Sequence, residues 1–410
     1  MSNFNEMDLP FSLRQALDKN NVSVPTPIQI RAIPLALQGK DILGSAQTGT
    51  GKTLAFAIPL VAKLLDKSNT GSALVIAPTR ELAQQVTNEI RKLLFQSSSL
   101  KISLLIGGEP IFKQLSQLQK KPQIIIGTPG RIIDHIERKT LVTNNISDLV
   151  LDETDRMFDM GFGVQVEEIM KYLPKARQTF MFSATLPVDI VKLAEKYLNQ
   201  PERISIERDT TTSKKIKQEV IYVSELGKYE KLLAQLCERE GSVIIFVKTK
   251  HGADQLADKL RKDDYSALAI HGDLRQHKRE GVINSFRRGR NQIMVATDVA
   301  SRGLDIPHIQ HVINYDAPQS QADYIHRIGR TARAGAEGCA LSFVTPQDKR
   351  KLPALADKDG EPNFDCKNIK FKQNNNKKVF KRPSALKAKY GKKRKVSTFK
   401  KRNRVLEKAF

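Results

Sequence analysis

Cysteine is scarce in this 410-residue chain. Cys237, Cys339 and Cys366 lie far apart and form no CxxC pair. That spacing argues against a zinc site or a disulfide framework and sets a reduced, cytosolic environment as the expectation. Long apolar runs are missing too. A membrane helix needs about 20 apolar residues. The best run here, residues 54–62, is nine long and contains Pro59, so no membrane association is expected. The opening MSNFNEMDLP has neither a basic start nor an apolar stretch, which argues against a secretory leader. What is present fits a water-soluble globular protein with an extra polar segment: 40% apolar and 27% charged residues. At about 150 residues per domain, the length allows two or three domains.

Acidic residues are outnumbered. There are 68 Lys and Arg against 44 Asp and Glu, a net charge of +24. The excess is concentrated at the end. Residues 363–410 hold 18 Lys and Arg and two acids, Asp365 and Glu407, giving +16, whereas the preceding 362 residues carry only +8. A tail this basic suits a polyanionic partner, in the cytosol chiefly RNA or DNA. After Pro346 the apolar periodicity fades, and residues 347–410 are expected to be a disordered basic tail. The KKRK at 392–395 arises from that composition and carries little weight as a nuclear signal.

The body alternates short apolar runs with amphipathic segments. Candidate strands fall at 73–77, 102–106, 123–126, 149–151 and 179–182, and again at 243–247, 267–270, 292–296, 311–314 and 340–344. Helical patterns such as 81–94 and 252–262 lie between them. Strands separated by helices argue for parallel sheets covered on both faces. The polar ERDTTTSKKIK at 207–217 reads as an inter-domain linker.

The strongest local signal is AQTGTGKT, residues 46–53, which follows the apolar pair Ile42 and Leu43. Gly49 and Gly51 let the backbone curl its N–H groups toward a phosphate. Lys52 can reach the β- and γ-phosphates, and the Thr53 hydroxyl can ligate Mg²⁺. A P-loop needs a carboxylate at the end of a neighbouring strand. Leu149-Val150-Leu151 delivers Asp152 toward a metal, with Glu153 beside it to orient and deprotonate water. Together these sites indicate an NTPase. Further on, Arg327, Arg330 and Arg333 recur at three-residue spacing, as on one helical face, where they could act as arginine fingers.

Taken in order, the motifs resemble those of the DEAD-box RNA helicases of superfamily 2, most like the bacterial RhlE-type members, over roughly residues 1–345. Pro25-Thr26-Pro27-Ile28-Gln29, with Phe4 upstream, resembles the adenine-reading segment. Pro78-Thr79-Arg80-Glu81-Leu82-Ala83, Gly107-Gly108 and Thr128-Pro129-Gly130-Arg131 follow. The name motif reads Asp152-Glu153-Thr154-Asp155, with Thr154 where the family has Ala, which is expected to alter packing against Ser183-Ala184-Thr185. Next come Phe246-Val247-Lys248-Thr249, His271-Gly272-Asp273, Gln276 with Arg279, Ala296-Thr297-Asp298, Arg302-Gly303-Leu304-Asp305, and His326 through Arg333. Asn21 and Val22 stand where the family usually has Gly and an aromatic, and Ser301 and Ala332 replace frequent Ala and Gly.

The resemblance implies two tandem RecA-like α/β domains with parallel sheets. Their expected bounds are an adenine-reading segment at 1–30, domain one at 31–206, the linker, domain two at 218–346, and the tail. It implies that ATP is held by Ala46, Gln47, Thr48, Gly49, Thr50, Gly51, Lys52 and Thr53. Gln29 would read the adenine edge, Phe4 would stack on the base, and Asp305 would touch the ribose. Arg330 and Arg333 would reach the γ-phosphate. Ser183 and Thr185 would couple hydrolysis to strand separation. Pro78, Thr79, Arg80, Gly108, Thr128, Gly130 and Arg131 would face RNA from domain one, and Thr249, Gly272, Gln276, Arg279 and Thr297 from domain two. Mg²⁺ would be held by Thr53 and Asp152, partly through water. The expected activity is RNA-stimulated ATP hydrolysis that unwinds or remodels duplex and single-stranded RNA and RNA–protein complexes. A cytoplasmic monomer acting on ribosomal precursors or in RNA turnover is the expected setting. Two rivals stand beside it: a DNA helicase or translocase with the same core, and a non-enzymatic RNA-binding or annealing protein driven by the tail with a silent core.

Overall fold

The structure is a computed structural model that describes residues 3–46, 49–66, 70–94, 100–206, 216–301, 306, 309–332 and 336–348, without the side chains at 299, 301 and 322. These residues fall in one compact unit. The expected site residues Gln47, Thr48, Asp305 and Arg333, most of the linker, and the tail from residue 349 lie outside the described residues.

Two parallel sheets organise the unit. The first takes β1 (Ile42–Ser45), β2 (Ser72–Ile76), β3 (Ile102–Leu105), β4 (Ile124–Gly127), β5 (Ile146–Leu151), β6 (Gln178–Ser183) and β7 (Glu202–Ser205) in the order β3-β4-β2-β5-β6-β1-β7. The second takes β8 (Ile216–Tyr222), β9 (Val243–Phe246), β10 (Ala267–Ile270), β11 (Ile293–Ala296), β12 (His311–Asn314) and β13 (Gly338–Val344) in the order β10-β11-β9-β12-β13-β8. β8 starts inside the segment expected to be linker.

Why these segments form strands is plain from their composition. A parallel strand covered on both faces must be apolar at every position. β4 is Ile-Ile-Ile-Gly and β9 is Val-Ile-Ile-Phe, and both are buried throughout. Successive side chains enter opposite cores: Ile124 and Ile126 join one cluster and Ile125 the other.

The first sheet is covered by α1 (Phe11–Lys19), α2 (Pro27–Leu37), α3 (Lys52–Leu65), α4 (Arg80–Leu93), α5 (Ile111–Gln119), α6 (Pro129–Glu137), α7 (Thr154–Asp159), α8 (Gly163–Lys171) and α9 (Val188–Tyr197). α4 shows how the chain starts and stops them. Thr79 caps it by accepting Leu82 N–H at 3.2 Å, Glu81 lies in the first turn, and Arg91 and Lys92 lie in the last.

In parallel sheets, ligand sites gather at the carboxyl ends of the strands. β1 ends into the P-loop, β2 at Pro78, β3 before Gly107, β4 before Thr128, β5 before Asp152 and β6 at Ser183. The register is tight: Ser45 lies opposite Ser183, and Ala46 N–H donates to Ser183 O at 3.1 Å.

Candidate functional site: a P-loop cleft beside a cross-sheet groove

Gly49 and Gly51 have φ of +86° and +91°, which only glycine adopts cheaply. A Cβ on Gly51 would stand 2.4 Å from Gln29 Nε2. That close approach places Gln29 against the P-loop. Its Nε2 donates to Gly51 O at 3.0 Å, and its Oε1 accepts Thr26 N–H at 2.9 Å. An amide offers two donor hydrogens and two acceptor lone pairs. One of each remains, the complement of an adenine N7/N6 edge. The Thr26-x-x-Gln29 capping box at the start of α2 performs the positioning. Ala46 is buried, while Thr50 and Thr53 are half-buried beside the loop.

Lys52 begins α3 and is 6% exposed, and its Nζ has no hydrogen-bond partner among the described residues. A buried ammonium without a hydrogen-bond acceptor is costly, a lack that a phosphate on the loop would make good. Its electrostatic neighbours are Asp152, Glu153 and Asp155. Burial pushes Asp152 up to about 7 despite the Lys52 charge. Burial also works to raise Glu153, but the charges of Arg156, Lys52 and Arg330 outweigh it and hold the carboxyl below its ordinary range. Glu153 pairs with the guanidinium of Arg156, which is only 1% exposed.

Asp155 ties the name motif to the strand beside it. Its Oδ2 accepts Ala184 N–H at 3.1 Å, Thr185 N–H at 2.9 Å and the Thr185 hydroxyl at 2.9 Å, and Asp155 N–H donates to Ser183 Oγ at 3.2 Å. Thr154 adds a link of its own. Its buried hydroxyl lies 3.2 Å from Phe182 O and 3.3 Å from Leu151 O. The extra oxygen therefore anchors the motif to the residue preceding Ser183.

The second sheet supplies buried cations. Arg330 is 3% exposed, donates to His326 O at 3.2 Å and acts on Glu153. Burial first, then Arg156, push the His326 imidazole down to about 4, so it is neutral at pH 7. The helical face expected for the three arginines does not form: the helix Gln321–Ile328 ends at a Gly329 cap, and Arg330 lies in the following turn. Arg327 is taken up internally. Its Nε and Nη2 bond both Asp298 oxygens at 2.6 and 2.8 Å, and its Nη1 bonds Asn314 and the Asp316 carbonyl. Phe4 also departs from expectation. It is 3% exposed within the core cluster, so its ring has no open face for a base.

Beside this cleft runs a groove of about 480 Å³, lined by Pro78, Thr79, Arg80, Gly107, Thr128, Gly130, Arg131, Met160 and Phe162 and the two acids Glu81 and Asp134 from the first half, and by Gly272 and Arg279 from the second. Arg131 Nη1 is buried there without a partner among the described residues. Arg80 Nη1 reaches Gln276 Oε1 at 3.4 Å, and Arg279 Nε meets Glu81 at 2.8 Å. Gly108 packs against both Arg80 and Gln276. Arg279 also donates to the His271 and Ala300 carbonyls. Thr249 caps the helix Lys250–Lys262 and Thr297 is buried after β11; neither lines the groove. Sequence reasoning singled out neither Glu81 nor Arg156 as a site residue. Arg156 carried a local signal, three residues after Glu153, and Glu81 carried none.

A P-loop facing buried carboxylates, completed by an arginine from a second parallel sheet, defines a two-domain RecA-like nucleoside triphosphatase. Residues 26–193 match the DEAD/DEAH box helicase family, and residues 227–335 match the helicase conserved C-terminal domain. The chain is 44% identical over 353 residues to the DEAD-box ATP-dependent RNA helicase CshA of Bacillus subtilis, covering 86% of this chain and 71% of that protein. It belongs to the DEAD-box ATP-dependent RNA helicases: it is an RNA-stimulated ATPase that remodels RNA. Saccharomyces cerevisiae Dbp5 bound to RNA and ADP BeF3 superposes with a TM-score of 0.76 at 32% identity, over 86% of this chain and 91% of that one. A Methanococcus jannaschii DEAD box protein is 41% identical, over 87% and 96% of the chains, yet superposes at only 0.51. Among the described residues, no helix is long and apolar enough to cross a membrane.

Proposed function

We propose that ATP binds between the two halves, with its phosphates on the 46–53 loop, its adenine on Gln29 and its γ-phosphate between Lys52 and Arg330. The observation that carries this reading is the unpartnered, buried Lys52 Nζ among three carboxylates. Glu153 is the group that takes the proton from water, because neighbouring cations keep it ionised. Asp152 and Thr53 would hold Mg²⁺. Mg²⁺ commonly keeps several waters and takes one or two carboxylates plus phosphates, so this sparse donor set fits. When bound, the ion supplies charge neutralisation on the phosphates. Ser183 and Thr185 relay the state of the name motif through Asp155.

RNA occupies the neighbouring groove, held by Arg80, Arg131 and the backbone about Gly108 and Gly130, with Gly272, Gln276 and Arg279 opposite. Contacts of this kind favour the phosphate and 2′-OH over base identity. Gln276 and Arg279 serve chiefly to join the halves across it. Domain one is assigned to 31–206 and domain two to 218–346, the latter extended back to Ile216. A cytoplasmic monomer working on ribosomal precursors or in RNA turnover remains the reading of the setting. The relatives carry the CshA name and lend no support to the finer RhlE-type subgroup.

The test is ATP turnover with no nucleic acid, with oligoribonucleotide and with the matching oligodeoxyribonucleotide, each with and without EDTA. Stimulation by the ribo form alone, abolished by EDTA, is expected. Equal stimulation by DNA would favour the translocase, and no turnover would favour the annealing protein.

A further inference from the structure

Gln114 on α5 and His135 on α6 are 1% and 0% exposed, and the side-chain hydrogen bonds of both run outside the P-loop cleft. Gln114 Nε2 donates to Ile106 O at 3.0 Å and to Glu109 O at 3.3 Å, bracketing the Gly107-Gly108 turn. Its Oε1 lies 3.3 Å from His135 Nε2. Both amide hydrogens are spent on carbonyls, so Oε1 must face the ring, and His135 must carry its proton on Nε2. Nδ1, left without a hydrogen, then accepts from the Thr140 hydroxyl at 2.8 Å, and that hydroxyl's one hydrogen is shared with His135 O at 3.0 Å. The backbone N–H groups of Thr140 and Leu141 close onto His135 O at 2.9 and 3.1 Å, finishing α6. The chain of hydrogen bonds therefore runs from the glycine turn on one side of the groove to the body of the helix whose first turn, Gly130 and Arg131, forms another part of it.

We propose that Gln114 and His135 are positioning residues that lock the Gly107-Gly108 turn and the N-terminus of α6 into one frame, fixing the spacing at which the two present themselves to the RNA backbone. The inference rests on the groove reading above. Apolar packing alone could join α5 to α6. It could not set the turn, because the two carbonyls and the ring nitrogen demand one donor–acceptor geometry. A frame fixed in advance spares RNA the ordering cost of these loops.

Gln114→Met keeps most of the volume and removes every hydrogen bond. The RNA concentration for half-maximal ATPase is expected to rise about tenfold, the scale of one buried hydrogen bond with partners left unmet. Turnover at saturating RNA, and binding of a fluorescent ATP analogue without RNA, should stay within about twofold of wild type. Thr140→Val, at the half-buried end of the chain, should shift the same RNA concentration in the same direction by less, and it keeps the test open if Gln114→Met folds poorly. Arg131→Ala is the control for the groove. If it raises the RNA requirement while Gln114→Met and Thr140→Val do not, the positioning role is overturned and the groove stands. If Arg131→Ala changes nothing, the groove reading itself fails. A parallel loss of nucleotide binding and melting temperature in both Gln114→Met and Thr140→Val would mark the pair as merely structural and overturn the proposal.

Discussion

Glu153 sits at φ 50° and ψ 53°, left-handed backbone that costs a non-glycine residue about 1–3 kcal/mol. Its neighbours hold it there: Asp152 Oδ1 accepts the Glu153 N–H at 2.9 Å, and Arg156 pairs with the carboxylate. Glu153→Gln keeps the shape and removes the base. Turnover is expected to fall by about 10² or more, the scale of a lost general base, with ATP affinity retained; near-normal turnover would refute the assignment. At Gln29, the one donor and one acceptor left free suit adenine and oppose the guanine edge. The wild type should prefer ATP to GTP by about 5- to 150-fold, the cost of burying unmatched polar groups; equal hydrolysis of both would count against the adenine contact. Thr154 is the family's Ala with a hydroxyl added. Thr154→Ala leaves Phe182 O without that donor and should cost about 1 kcal/mol in urea unfolding. No change in the unfolding midpoint would mean the hydroxyl is not bonded as described.

The interior strands and the P-loop were readable because their signals are local. β4 and β9 announce themselves as unbroken apolar runs, since both faces are buried. β7 and β8 escaped because each is a sheet edge rich in polar residues, whereas the edges β3 and β10 stay mostly apolar. β8, Ile-Lys-Gln-Glu-Val-Ile-Tyr, keeps only Ile216 buried, so its first two residues, Ile216 and Lys217, read as the end of the linker. The arginine helix was overextended because three-residue spacing cannot tell that Gly329 ends it. Phe4 looked like a base-stacking ring because sequence gives no measure of burial. The link between Glu81 and Arg279 spans 198 positions and exists only once both sheets have folded. Both side chains are under a tenth exposed, so removing one partner costs more than it would at a surface bridge. Glu81→Gln leaves Arg279 its two backbone acceptors, so the expected loss is about 1–3 kcal/mol of closure. Followed by FRET between dyes on the two halves, with an ATP analogue present, closure should need roughly tenfold more RNA or beyond. An unchanged closure curve would show that the halves meet without this link.

At the scale of the whole molecule, charge is divided unevenly. The body carries +8 over 362 residues and the terminal 48 carry +16. A groove of about 480 Å³ has room for few phosphates, so a polyanion gripped only there would show a shallow salt dependence. We expect residues 363–410 to act as an electrostatic tether that raises local RNA concentration without choosing a sequence. Each phosphate neutralised on a single strand contributes about −0.7 to the slope of log affinity against log salt. A chain ending at Gly360 should therefore bind RNA more weakly at low salt, with a flatter slope, and by a similar factor for unrelated sequences. Turnover at saturating RNA should hold, because Lys52, Glu153 and Arg330 are positioned by elements of the two sheets. A truncated chain with the full-length slope would show that the tail touches no phosphates. A loss confined to one structured RNA would make it a recognition element instead, since counterion release is blind to shape whereas a docked contact is not.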